Sequence, residues 1–476
     1  MTMTKYLCSV QVSFLLLVCV WAENSKAGRV NLASFKWKEE EDNKNCSALE
    51  SETSSLSVMH IHGKCSPFRL PNSSWWTAIS ESIKGDTQRY RAMVKGGWSA
   101  GKSMVNPQED ADLPLASGHA INTGNYIIKL GFGMPAQTFY TVLDTGSYIT
   151  WIPCNPCSSC SSGLQLFEPG KSSTYKYLTC ASQQCQSPDF CSNNDNNVNC
   201  SLPLRYGDQS EVDEILSSET LSVGSQTVED FVFGCANAVS GVIQSLSFPG
   251  LVGFGKESLS FISQTATLYD STFSYCLPSL FSSAFTGSLL LGKGALSASG
   301  LKFTPLLSNA RYPYFYYVGL NGISVGDELV SIPAGTLTLD QSTGRGTIID
   351  SGTVITRLVE PAYNAMRDSF RRQLSSLSLA SPTESFDTCY NKPSGEVEFP
   401  VITLHFDDGL DLALPLENTL WPGNEDGSVL CLAFALPPGG EDDVLSIFGN
   451  YQQQKFRIVH DVAGSRLGIA SENCGA

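Results

Sequence analysis

From Leu113 onward the chain breaks into short runs of β-branched and aromatic residues separated by Gly, Pro, Asn and Ser, as in Asn125-Tyr-Ile-Ile-Lys-Leu-Gly-Phe-Gly and Phe315-Tyr-Tyr-Val-Gly-Leu. Apolar runs this short with turn residues between them predict many strands and tight connections. Helical spacing is found chiefly from Pro361 to Leu374, where a proline near the start is followed by Ala362, Ala365, Met366 and Phe370. Between Glu23 and Asp112 there is little sustained periodicity. That stretch carries an acidic run from Glu39 to Asp42 and glycines at 96, 97 and 101. It reads as a segment distinct from the β-rich body.

The first residues have a pattern of their own. Lys5 precedes an apolar stretch from Leu7 through Leu15, Leu16, Leu17 and Val20 to Ala22, and polar Glu23, Asn24 and Ser25 follow at once. A charged start, an apolar centre and small residues at a cleavage site predict a signal peptide over residues 1–22. The apolar run is short for a membrane span, which wants about 18 or more such residues, and no later segment is longer. Glu472, Asn473 and Cys474 stand where a C-terminal lipid anchor would need an apolar tail. No membrane anchor is expected.

Secretion makes the 16 cysteines intelligible, because an oxidising compartment favours disulfides. Twelve of them, Cys154, Cys157, Cys160, Cys180, Cys185, Cys191, Cys200, Cys235, Cys276, Cys389, Cys431 and Cys474, form an even set in the β-rich body. Cys154, Cys157 and Cys160 are spaced as zinc ligands can be. A closed site wants a fourth ligand, though, and only His405 and His460 follow, so neither metal nor cofactor is expected. Spacing alone does not fix the pairing. Glycosylation sequons stand at Asn45, Asn72 and Asn199, the last in an Asn-rich loop beside Cys200.

Composition and charge then narrow the function classes. The 476 residues are 42% hydrophobic and 16% charged, enough for real cores and long enough for two or three domains. Of 30 basic and 46 acidic residues, positions 1–112 hold 13 and 12, which leaves 17 and 34 for positions 113–476. Such an acidic body is a poor counterion for phosphate backbones, so nucleic-acid binding is not expected. The segment before it is different. There Lys64, Arg69, Lys84, Arg89, Arg91, Lys95 and Lys102 face only Glu81 and Asp86. A basic leader of this kind could lie over an acidic cleft at neutral pH and leave it in acid.

One internal repeat outweighs the composition. Leu143-Asp-Thr-Gly-Ser-Tyr-Ile-Thr and Ile349-Asp-Ser-Gly-Thr-Val-Ile-Thr share their pattern 206 residues apart. A second echo follows each, Leu251-Val-Gly-Phe-Gly and Ser446-Ile-Phe-Gly-Asn, with Gly253 109 residues after Asp144 and Gly449 99 after Asp350. Two related lobes, each contributing one carboxylate, explain both. Two carboxyls held close cannot both ionise easily and share a proton, so one can take a proton from water while the other gives one to a carbonyl. Gly146 and Gly352 would let the two loops turn tightly and approach each other. Ser147 and Thr353 would hydrogen-bond the outer carboxylate oxygens. Thr145 and Ser351 complete the supporting set around Asp144 and Asp350.

With these motifs the chain resembles the pepsin-like aspartic proteases, and most closely their plant nepenthesin-like branch, which includes a chloroplast-nucleoid DNA-binding-protease-like subgroup. The resemblance covers essentially everything after Leu113. It is carried by Asp144-Thr-Gly-Ser, Trp151-Ile-Pro-Cys-Asn-Pro-Cys, Tyr206-Gly-Asp, Phe233-Gly-Cys, Phe273-Ser-Tyr-Cys, Asp350-Ser-Gly-Thr, Asp387-Thr-Cys, Cys431-Leu-Ala-Phe and Ile447-Phe-Gly-Asn, in order. It implies an all-β, mostly antiparallel, bilobal fold with few short helices, the substrate lying extended in the cleft between lobes under a β-hairpin flap. The implied domains are a prosegment at 23–112, an N-terminal lobe at 113–305 with a cysteine-rich insertion, and a C-terminal lobe at 306–476. Tyr206, Gly207 and Asp208 match the flap, and Trp151 the tryptophan that supports its tyrosine. The implied disulfides are Cys154–Cys235, Cys276–Cys474 and Cys389–Cys431, with six cysteines left inside the insertion. The stretch from Val58 to Pro67 is similar to the leader motif of the branch and implies a zymogen cut near residues 113–121.

The implied activity is that of an aspartic endopeptidase acting on polypeptides in acid and sensitive to pepstatin-type inhibitors; the signal peptide predicts secretion, to the apoplast or alternatively the vacuole, and a monomer is the default expectation. The branch also holds catalytically dead relatives that bind proteins or inhibit glycosidases. Here both aspartates are present, although Gln209 stands where the branch commonly has Gly. A serine hydrolase is disfavoured, since His119, His405 and His460 have no nucleophile-elbow context. His60 and His62 fall in the leader and are expected to pack there.

Overall fold

A computed structural model describes residues 29–31, 55–63, 65–68, 75–95, 126–160, 163–185, 190–191, 198–205, 211–240, 250–279, 286–383, 385–394, 397–439 and 445–474. Three of its elements lie before residue 113, the first a short strand, Arg29–Asn31, paired antiparallel with Glu398–Pro400. Strand β1 (Ser55–His60) and helix α1 (Trp75–Lys95) both pack into the β-rich body. The helix corrects the reading of this stretch as aperiodic. Its buried face includes Ile79, Ile83, Asp86, Arg89, Tyr90 and Met93 beside the small Ser82 and Gly85, a helical spacing whose apolar stripe is interrupted by an Asp and an Arg. A search for hydrophobic period alone misses such a helix.

The body begins with β2 (Tyr126–Phe132), buried at six of its seven positions, which runs antiparallel to β3 (Gln137–Asp144) from Ile127↔Val142 to Phe132↔Gln137. β4 (Trp151–Pro153) follows the loop that β3 leads into. Then come β5 (Ser201–Arg205), β6 (Glu211–Val223) and β7 (Gln226–Ser240), an antiparallel succession of hairpins. β8 (Leu251–Gly253) returns parallel to β3, pairing Gly253 with Asp144, and antiparallel to β4, pairing Leu251 with Trp151. β9 (Thr272–Cys276) and β10 (Thr286–Leu291) pair antiparallel. β1 is inserted between β10 and β2, so the part of the chain before residue 113 supplies a strand to this sheet.

The second half repeats the arrangement. β11 (Gly346–Ile349) enters the second Asp loop, β12 (Thr356–Arg357) leaves it, and α2 (Glu360–Gln373) follows, one residue displaced from the expected helix. β13 (Leu445–Phe448) lies parallel to β11 with Ile349↔Phe448 and antiparallel to β12 with Arg357↔Ile447. β14 (Phe456–Asp461) pairs with β9, tying the halves together. Two four-stranded sheets flank this lobe, one holding Leu320–Val325 and Ile402–Phe406, the other Cys389–Asn391 and Val429–Leu432. The second echo of the sequence repeat is thus the parallel partner of the strand before each Asp.

The architecture is all-β with few helices, in two related lobes. α1 lies across both. Ile79 and Ile83 share a cluster with Val354, Ile355, Phe386 and Trp421 of the second half, whereas Tyr90 and Met93 join Ile127, Tyr148, Trp151 and Leu445. Burying each of these large side chains contributes about 1.5–3 kcal/mol at the upper bound, so the helix has an apolar anchor at either end. Disulfides join Cys154–Cys235, Cys276–Cys474 and Cys389–Cys431, and within the insertion Cys157–Cys160, Cys180–Cys191 and Cys185–Cys200. Among the described residues no helix is long and apolar enough to cross a membrane.

Candidate active site

The two repeated loops meet face to face. Thr145 N–H donates to the Ser351 hydroxyl at 3.1 Å, Ser351 N–H donates to the Thr145 hydroxyl at 2.8 Å, and the Ser351 hydroxyl donates on to the Leu143 carbonyl at 2.9 Å. These reciprocal bonds lock one loop against the other where both are buried. Each carboxylate is then held by its own loop in the same way. Gly146 N–H donates to Asp144 Oδ1 and Gly352 N–H to Asp350 Oδ1, both at 2.9 Å. Ser147 and Thr353 hydroxyls donate to the Oδ2 atoms of Asp144 and Asp350, both at 2.6 Å. Neither glycine needs a left-handed backbone. A Cβ on Gly146 would run into the Asp350 carboxylate, and one on Gly352 into that of Asp144.

The second loop has further support that its motif alone does not announce. Asn450 donates from Nδ2 to the Ser351 carbonyl at 2.9 Å and from its backbone N–H to the Thr353 carbonyl at 2.7 Å. Gln453 donates to the carbonyls of Asp350 and Phe448, and Tyr275 donates to Gln453 Oε1 at 2.6 Å. The first of these residues closes the Ile447-Phe-Gly-Asn echo, so the sequence carried a signal for it.

Both carboxylates are inaccessible because Arg89 of α1 covers them. Its Nη2 lies 2.5 Å from Asp144 Oδ1 and 3.0 Å from Asp350 Oδ1, and its Nε donates to Asp350 Oδ2 at 3.0 Å and to the Thr353 hydroxyl at 3.2 Å. All three charged side chains are 0% exposed. Burial raises the Asp350 carboxyl above its ordinary range, the Arg89 guanidinium pulls it back down, and the Asp144 charge pushes it up again. Arg89 belonged to the basic stretch noted in the sequence. Nothing in spacing distinguished it from Lys84 or Arg91, both exposed on the same helix.

A second polar contact lies one helical turn away. Asp86, wholly buried, accepts from the backbone N–H of Val354 at 3.0 Å and of Ile355 at 2.9 Å. Beside it, Arg357 donates from Nη2 to the Thr87 hydroxyl at 3.1 Å and from Nη1 to the Leu436 carbonyl at 2.7 Å. Burial pushes Asp86 up to about 7 against the opposing pull of Arg357, the two N–H donors and Arg89.

Trp151 is buried in the first lobe, seven residues after Asp144. Tyr206, Gly207 and Asp208, between β5 and β6, lie outside the described residues, as do Asn45 and Asn72. Asn199 is exposed. His60 and His62 pack in the leader, His60 edge-on to Tyr126 and His62 within 3.4 Å of the Ser82 hydroxyl. Cys157 and Cys160 are joined to each other, and among the described residues no group of His, Cys, Asp and Glu is placed to hold a metal ion.

Comparison with known proteins agrees with this geometry. Family models described as xylanase inhibitor N-terminal and xylanase inhibitor C-terminal match residues 126–293 and 315–471. Aspartyl protease 25 of Oryza sativa subsp. japonica is 39% identical over 76% of this chain and 85% of its own length. Aspartyl protease AED3 of Arabidopsis thaliana is 39% identical over 88% and 91%, and aspartic proteinase nepenthesin-1 of Nepenthes gracilis 38% over 79% and 83%. The crystal structure of basic 7S globulin from soybean superposes with a TM-score of 0.58 at 22% identity, covering 74% of this chain and 95% of that one. At that identity the likeness is one of fold.

Proposed function

The chain belongs to the plant nepenthesin-like branch of the pepsin-like aspartic protease family, and from that premise we propose that it is a secreted aspartic endopeptidase, made as a zymogen and active in acid. The observation that carries this reading is the pair Asp144 and Asp350. Both carboxylates are intact, and each is held by an equivalent glycine N–H and hydroxyl in loops locked to one another. In the released cleft a water between them gives its proton to the ionised partner as its oxygen attacks the peptide carbonyl carbon. The protonated partner supplies the proton that the carbonyl oxygen gains. As the diol collapses and the C–N bond breaks, the protonated partner gives its proton to the leaving nitrogen and the ionised partner takes one from a diol hydroxyl, which leaves a carboxylic acid, an amine and a pair that again holds one proton. The pair acts and titrates as a unit.

Arg89 supports latency. Its guanidinium fills the space a scissile peptide would occupy and neutralises the pair. Burial raises the Asp350 carboxyl and Arg89 pulls against that rise, so protons and Arg89 compete for the same oxygens, and acid loosens α1 at this contact. The leader's apolar start favours export to the cell exterior or vacuole. Polypeptides are the substrates, and the flap at Tyr206, Gly207 and Asp208, supported by Trp151, would close over them.

The direct test is cleavage of an unfolded protein by the processed enzyme at about pH 3–5, with and without pepstatin, beside Asp144→Asn. Cleavage blocked by pepstatin and absent from the variant is expected. An inert processed protein, or an active Asp144→Asn, overturns the reading and favours an inactive binding or glycosidase-inhibitor protein.

A further inference from the structure

We propose that the released cleft contains a subsite for an acidic side chain of the substrate, built from the backbone N–H groups of Val354 and Ile355 and the guanidinium of Arg357. The proposal rests on the peptidase reading above and names the substrate class it acts on.

Three observations converge on it. The seat is already occupied by a carboxyl group, since Asp86 of α1 accepts from both N–H groups at 2.9–3.1 Å. Arg357 stands beside it, 4% exposed, its guanidinium reaching the adjacent Thr87 hydroxyl. Position is the third. Arg357 follows Asp350 by seven residues, as Trp151 follows Asp144, and each pairs antiparallel with the strand that runs parallel to its Asp strand, Arg357 with Ile447 and Trp151 with Leu251. The repeat therefore puts a cation in the second lobe where the first has Trp151, which packs in one cluster with Tyr90 and Met93 of α1.

The seat presents donors, so a side chain that can turn an acceptor oxygen toward it fits and a lysine or arginine, which has none, does not. Burial pushes Asp86 up to about 7 even against Arg357 and the N–H donors. A carboxyl group seated here in acid is thus held with its carbonyl oxygen toward the donors and without the cost of burying a charge. Asp86 lies one turn, about 4.5 Å along the helix, from Arg89 at the dyad. An extended peptide advances about 3.3 Å per residue, so the seat serves a position within about three residues of the scissile bond.

The test uses processed enzyme and peptides of one parent sequence carrying Asp, Leu or Lys at each of three positions on either side of the cleaved bond, at pH 4.5. At one position Asp should raise kcat/KM about tenfold over Leu and more over Lys. Arg357→Met should erase that preference, so that the Asp and Leu peptides are cleaved at equal kcat/KM, and a circular dichroism spectrum that matches the wild type shows the variant is folded. A wild-type enzyme that cleaves every peptide with no gain for Asp anywhere overturns the proposal and leaves the peptidase reading standing, whereas an enzyme that cleaves none removes both. If Arg357→Met slows all peptides equally, Arg357 only braces the Leu436 segment and the proposal fails.

Discussion

Arg89→Ala is the most informative single change in the leader. The guanidinium it removes is wholly buried between two carboxylates and a hydroxyl, and it is the polar contact of α1 with both halves of the site at once. Taking one partner out of a buried ion pair costs about 3–5 kcal/mol, because the other is left uncompensated. Here the cost falls toward the lower end near neutral pH, since the two carboxylates left behind can share one proton. At about 1.4 kcal/mol per decade, the fraction of molecules with α1 lifted rises about a hundredfold at pH 7. At pH 4 the gain shrinks, because acid has already weakened the wild-type contact. Amide hydrogen exchange over residues 75–95 of the full chain reads that fraction directly. Arg91→Ala removes the same charge from an exposed position of the same helix and should change nothing. Unchanged protection in Arg89→Ala at pH 7, or an equal loss in Arg91→Ala, would refute the argument that this contact holds the leader in place.

Two buried groups outside the site make opposite predictions about acid. His460 is stacked on Phe273 at 4.4 Å with both ring nitrogens unpartnered, and burial lowers it to about 3. The unfolded chain takes up its proton near 6.5 and the fold only near 3, so stability drains away as pH falls between them; in thermal melts His460→Phe should lose less Tm than wild type between pH 6.5 and 3.5. Glu214 is wholly buried in β6 with neither oxygen hydrogen-bonded, and burial raises it well above the usual range. Its share of stability is present below its unfolded value and lost as pH rises, so Glu214→Gln should melt higher than wild type at pH 7 and no higher at pH 3.5.

What was legible in the sequence follows a physical division. The dyad loops could be read because each needs a particular residue at each step: an Asp, a hydroxyl for the partner loop, a glycine where a Cβ would strike the other carboxylate, and a hydroxyl for the outer oxygen. Such requirements leave a fixed string, and here they leave it twice. The strands could be read because turn residues cut the apolar runs to strand length, and α2 because Ala362, Tyr363, Met366 and Phe370 recur at helical spacing on its buried face. α1 was not legible for the converse reason. Its buried face is written for the cleft, so its inward positions are an Asp and an Arg as well as two isoleucines, a tyrosine and a methionine. Read alone they blur the period. Read against what they touch they become a record of the cleft: apolar toward Val354, Ile355 and Trp421, acidic toward Arg357, basic toward Asp144 and Asp350.

The same record explains why the two lobes are not equivalent despite the repeat. Trp151 and Arg357 occupy matching places in the β4 and β12 strands, yet one is an aromatic that packs with Tyr90 and Met93 and the other a cation beside Asp86. A symmetric cleft would treat the two directions of a bound peptide alike. An apolar wall on one side of the dyad and a carboxyl seat on the other gives the cleft polarity, and a leader helix that presents Asp86, Arg89 and Met93 in that order satisfies it. The docking of α1 and the proposed selectivity then draw on the same side chains, so a change at Arg357 should alter both how tightly α1 docks and which peptides replace it.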